Sequence, residues 1–129
     1  MAAPTFQHLD TRLDQDVLVL TFTSKDLCDE DAVEAVRQEL LTAVDSGDTR
    51  KAVLDFQHVT YIASPGIRLL LGFRRHFQTR GGRLVLCALA PLISDVLNTA
   101  RLISAAGSTL PVLFETAPDV PAGIARLNR

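Results

Sequence analysis

The sequence is poor in the residues that mark specialised chemistry. It holds no tryptophan and one tyrosine, so it offers little aromatic surface on which nucleic-acid bases could stack. Its two cysteines, Cys28 and Cys87, are far apart and lack a CxxC spacing. That argues against a disulfide framework and a zinc site, and points to a reducing compartment, the cytoplasm. Excess positive charge is missing too. Lys and Arg number 13 against 15 Asp and Glu, for a net charge of −2. Nucleic-acid binders favour strongly basic domains, so no nucleic-acid partner is expected. No apolar stretch approaches the ~20 residues of a membrane span. The first residues, MAAPTFQHLDTR, lack a basic start followed by an apolar block. Neither membrane insertion nor a secretory signal is therefore expected.

What is present is an ordinary globular composition. Of 129 residues, 47% are hydrophobic and 22% charged, enough to bury one core. Length predicts a single domain over 1–129, with its core over 5–115 and a C-terminal segment 116–129. The segment from Thr5 to Leu13, the turn signal Asp14-Gln15-Asp16 and the run from Val17 to Phe22 read as an antiparallel hairpin. Its second strand is expected to be the more buried. Asp29 is placed to cap a helix with an acidic first turn, Glu30 and Asp31. Ala32, Val33, Val36, Leu40, Ala43 and Val44 follow at helical spacing, and Gly47 closes the segment.

The run from Lys51 to Phe56 suits a strand covered on both faces. Residues 67–77 return to helical period through Ile67, Leu69, Leu70, Leu71, Phe73 and Phe77. Gly81-Gly82 is a stop, and the stretch from Leu84 to Leu89 is another buried strand. Pro91 sits well at the start of a helix carrying Leu92, Ile93, Val96, Leu97 and Ala100. The stretch from Pro111 to Phe114 reads as a last strand. Residues 119–127 read as a short helix interrupted by Pro121 and Gly123. The fold class is therefore α/β. We expect a mixed four- to five-stranded sheet with an antiparallel edge hairpin and helices mainly on one face.

Residues 51–89 carry the functional signal: KAVLDFQHVTYIASPGIRLLLGFRRHFQTRGGRLVLCAL. Leu54-Asp55-Phe56 ends a strand. A loop leads to Ala63-Ser64-Pro65-Gly66, a leucine-rich helix, a Gly-Gly turn and an apolar strand. This order resembles the STAS domain of anti-sigma factor antagonists, in which a pattern close to Asp-Ser-Ser-Gly begins the helix. The resemblance implies a non-enzymatic protein-interaction domain without cofactors. Its partner would be an anti-sigma factor that is also a serine kinase, with ATP belonging to that kinase. It also implies that Ser64 is the phosphoacceptor. Partner contact is expected around Ala63, Pro65, Gly66, Arg68 and Arg75. Two departures stand beside the acceptor, Ala63 for the acid and Pro65 for the second serine. They favour an alternative role as a constitutive STAS subunit of a transporter or signalling scaffold.

The residues give Ser64 a second meaning. Serine before proline suits a helix start, with Ser64 as N-cap and Pro65 at the first helical position. A phosphate there would face the positive end of the helix. Arg68, Arg74, Arg75, His76, Arg80 and Arg83 form a basic set near the acidic Asp26, Asp29, Glu30 and Asp31. Together they could steer a protein partner or simply form a solvated face. A hydrolase is not expected. G-x-S-x-G is absent, and His58 has no orienting acid. Nucleotide-binding glycine motifs are absent as well. His8, His58 and His76 lack metal-ligand spacing, and Cys87 is expected in the core.

Overall fold

Alternation along the strands decides which residues meet. In a computed structural model, which describes residues 6–46, 49–102 and 113–129, β1 (Leu9–Asp14) and β2 (Val17–Phe22) form the expected hairpin. Its turn residues Gln15 and Asp16 have φ of 51° and 67°. That left-handed pair matches the twist of a two-residue hairpin. There follow β3 (Asp26–Leu27), α1 (Glu30–Asp45), β4 (Lys51–Asp55), β5 (Tyr61–Ile62) and α2 (Ser64–Thr79). The chain ends with β6 (Arg83–Cys87), α3 (Pro91–Thr99), β7 (Glu115–Ala117) and α4 (Val120–Leu127).

The main sheet runs β1-β2-β4-β6-β7. β1 is antiparallel at one edge, and the other neighbours pair in parallel. β2, β4 and β6 are covered on both faces, which is why each reads as a continuous apolar run. Leu20, Leu54 and Leu86 lie in register and point to the core shared with α1, α2 and α3. Val19, Val53, Val85 and Cys87 point the other way, onto Val120, Ile124 and Leu127 of α4. Three helices thus cover one face and one short helix the other, as the mainly one-sided packing predicts.

Asp29 caps α1 as its sequence predicts, its carboxylate accepting from Ala32 N at 2.9 Å. Several details differ from expectation. Ala32 and Leu71 face solvent, so the apolar stripes of α1 and α2 are narrower than the spacing suggests. Leu92 is exposed while Ile93 and Leu97 anchor α3. The last strand is Glu115–Ala117, past the predicted end at Phe114. Phe114 is instead a buried plug whose N–H donates to Leu102 O, and pairing with β6 starts at Glu115. Pro111, Val112 and the helix stop at Gly47 lie outside the described residues.

Pro121 and Gly123 fit α4 rather than interrupt it. Proline is tolerated in the first helical turn, after the Asp119 cap. Gly123 lies so close to the sheet that a Cβ there would collide with Cys87 Sγ.

Candidate functional site

Ser64 is delivered to the surface by a chain of buried fixings. Asp55 ends β4 and is the only buried charged side chain among the described residues. Its carboxylate accepts from Thr21 Oγ1 at 3.0 Å, Gln57 N at 3.0 Å and Gln57 Nε2 at 2.9 Å. These bonds satisfy the buried charge and tie the β4–β5 loop to the end of the sheet. Val59 then packs inward, and Thr60 N donates to Lys25 O at 2.7 Å. β5 pairs with β3 in a small parallel sheet, Asp26 beside Tyr61 and Leu27 beside Ile62. Nothing in two-residue strands of mixed polarity announced that pairing.

The helix begins one residue earlier than predicted. Ala63 is extended, its N–H donates to Leu27 O at 3.2 Å, and its carbonyl accepts from Ile67 N at 3.1 Å. The cap position therefore belongs to Ala63, not Ser64, and no side chain caps α2. Ser64 is exposed, and among the described residues its hydroxyl makes no hydrogen bond. Gly66 is buried. A Cβ there would come within 2.6 Å of both Leu27 O and Ile62 Cγ1. Its bare backbone lets α2 lie against the β3–β5 pair, and it presents no surface to a visitor. Ala63 and Pro65 are half-buried, while Arg68 and Arg75 are exposed.

A groove of about 400 Å³ runs between the first turns of α1 and α2. Its walls are Glu30, Asp31, Glu34 and Arg37 on one side and Pro65 and Arg68 on the other. Arg68 Nη2 donates to Glu30 Oε1 at 3.1 Å across it. Arg37 forks onto Glu34 at 2.9 and 2.7 Å and holds that carboxyl at about 2, well below its ordinary 4.5. The sequence shows each of these charges. The pairing of Glu30 with Arg68, 38 positions apart, is a product of helix packing alone.

The rest of the basic set is mostly spent within the chain. Arg74 donates to Leu113 O at 2.6 Å and lies over the Phe114 ring. His76 and Arg80 both hold Asp45 at the end of α1 and lower its pKa, the His76 hydrogen bond contributing most. Arg83 and Arg126 share Glu115. Among the described residues Arg75 forms no ion pair. His8 is half-buried and paired with Glu39, and His58 is exposed. Cys87 is buried, with its thiol pushed up to about 12 by burial and then by Asp55. Among the described residues no group of three His, Cys, Asp or Glu could hold a metal ion. No helix among them is long and apolar enough to cross a membrane.

A family model described as the STAS domain matches residues 8–109. The chain belongs to the STAS domain family. This STAS domain is 35% identical over 71 residues to a Bordetella bronchiseptica protein, BtrV, named for anti-sigma factor antagonists. That match covers 55% of the chain and 60% of BtrV, less than two thirds of the relative. A Thermotoga maritima protein, tm1081, also named for anti-sigma factor antagonists, has the same fold with a TM-score of 0.77. The identity there is 13%, over 94% of this chain and 95% of that one. The fold also recurs in the murine anion transporter Slc26a9, with a TM-score of 0.71 and 14% identity. That likeness covers 88% of the STAS domain and 18% of the transporter chain.

Proposed function

We propose that this STAS domain is an anti-sigma factor antagonist, a binding protein switched by phosphorylation of Ser64. The observation that carries the reading is an exposed serine hydroxyl, without a hydrogen bond among the described residues, on a helix start held by the Ala63 N–H to Leu27 O bond. Unmodified, the domain binds an anti-sigma factor through the surface around Ala63, Ser64, Pro65, Arg68 and Arg75, and so frees a sigma factor. The same partner acts as kinase and brings ATP. The Ser64 oxygen attacks the γ-phosphorus, its proton passes to a base of the kinase, and ADP leaves as the phosphorus–oxygen bond to the β-phosphate breaks. The new group adds about −1.5 to −2 charges at pH 7 and a shell of bound water, which opposes docking. In this reading the domain is substrate and ligand, not an enzyme, and it works in the cytoplasm beside its kinase.

Two features support the site besides exposure. The first turn of α2 carries no acidic side chain to repel a phosphate. Pro65 fixes the backbone next to the acceptor, so little order has to be created on docking. The test is affinity capture from the native host with the wild-type chain and with Ser64→Asp, followed by mass spectrometry of the bait. The wild-type bait should retain an anti-sigma factor kinase, the Ser64→Asp bait should lose it, and phosphate should be found on Ser64. Equal capture by both baits with no phosphate would overturn the switch.

The departures at Ala63 and Pro65 favour a second reading, constitutive docking in a transporter or scaffold complex. Capture of a membrane transporter, insensitive to Ser64→Asp, is the outcome that reading expects.

A further inference from the structure

We infer that Arg68 is the cation that receives a phosphate on Ser64, and that it leaves Glu30 to do so. The inference rests on the proposal that Ser64 is modified. Four positions separate Ser64 from Arg68 on α2, so the two side chains are neighbours on one helix face. Both are exposed. Among the described residues Arg68 is held through one hydrogen bond, from Nη2 to Glu30 Oε1 at 3.1 Å. A phosphate offers three acceptor oxygens and about −1.5 to −2 charges, so it competes strongly for a guanidinium held by one exposed carboxylate.

No other cation on the groove walls is as available. Arg37 faces the groove from α1 but is gripped by Glu34 through two hydrogen bonds. The other charged residues of α1 on the groove walls are Glu30 and Asp31, and β3 carries the exposed Asp26. Phosphorylation would therefore change the docking surface twice. It adds charge at Ser64, and it strips Glu30 of its cation, leaving an acidic rim where an ion pair had been.

The test is a ³¹P NMR pH titration of the full chain carrying phosphoserine at position 64. It is repeated in the Arg68→Ala, Glu30→Gln and Arg75→Ala backgrounds. The second phosphate pKa is ordinarily about 6. With Arg68 present it should fall by about half a unit, the scale of one exposed charge pair. Arg68→Ala should return it to the ordinary value. Glu30→Gln should lower it further, by removing both a competitor and a like charge. Arg75→Ala, two turns further from the phosphate than Ser64's own neighbour, should leave it in place. An unmoved pKa in Arg68→Ala, or an equal shift in Arg75→Ala, would sink the inference. The measurement needs no partner. Loss of capture by Ser64→Asp beside an unmoved phosphate pKa would thus remove Arg68's role and keep the switch.

Discussion

The starts of α2 and α4 solve the same packing problem and end with opposite surfaces. Each helix approaches a sheet so closely that only glycine fits, Gly66 against the β3–β5 pair and Gly123 against Cys87 on the main sheet. At α4 the helix end is closed by Asp119, whose carboxylate accepts from Ala122 N at 2.9 Å. At α2 the equivalent position is Ala63, which has nothing to offer the backbone. α3 also starts without a side-chain cap, but its start carries no exposed hydroxyl. Close packing and local polarity are therefore separable. A glycine can press a helix down while its first turn is left open, and the open turn is the one with Ser64.

The largest effects are expected at the two glycines. Gly66→Ala should destabilise the fold by about 2–3 kcal/mol in denaturant melts, because the new methyl meets a backbone oxygen that cannot step aside. Gly123→Ala should cost about 1–2 kcal/mol, since its main obstacle is one sulfur. Combined with Cys87→Ala, which removes that sulfur, it should recover part of the loss as a non-additive term. Simple additivity would mean that the α4 contact is not what limits the site.

The caps come next. Asp119→Ala should lose about 1 kcal/mol, while Ala63→Asp should gain a similar amount by closing the open turn of α2. A gain of that kind would sharpen the contrast, because it would show that Ala63 leaves stability unused at the Ser64 end.

A pH effect tests the other anchor of the α4 side. Glu115 is held at about 2, below its ordinary 4.5, chiefly by its hydrogen bond from Arg83 and further by Arg126. A depressed carboxyl contributes stability above its unfolded pKa and loses it as pH falls towards the folded value. Wild-type stability should thus decline between about pH 4.5 and 2, and Glu115→Gln should flatten that decline in thermal melts. The smallest expected effect is at Ser64 itself. Ser64→Ala should change stability by less than about 0.5 kcal/mol, because the hydroxyl caps nothing. A loss near 1 kcal/mol would restore it to the rank of a structural cap.

The hairpin, α1 with its Asp29 cap, and the strands β4 and β6 were legible because period and capping chemistry are local. The Ser64 region was legible as a helix start with an exposed hydroxyl, but its cap was misplaced by one residue. The bonds that set the start come from Leu27, more than thirty positions upstream, and no local rule contains them. The β3–β5 pair and the role of Gly123 were hidden for the same reason. Two-residue strands have no period to read, and a glycine does not announce what stands opposite.

The alternation of strands and helices, the apolar faces that bury them, and the serine-proline step that begins α2 are all written in the order of the residues. These follow from side-chain chemistry acting over a few residues. Packing between distant segments put Ala63 rather than Ser64 in the cap and sealed Gly66. It alone set Arg68 across a groove from Glu30. Those outcomes depend on distances between segments far apart in the chain, and they exist only once the core has fixed where each helix lies.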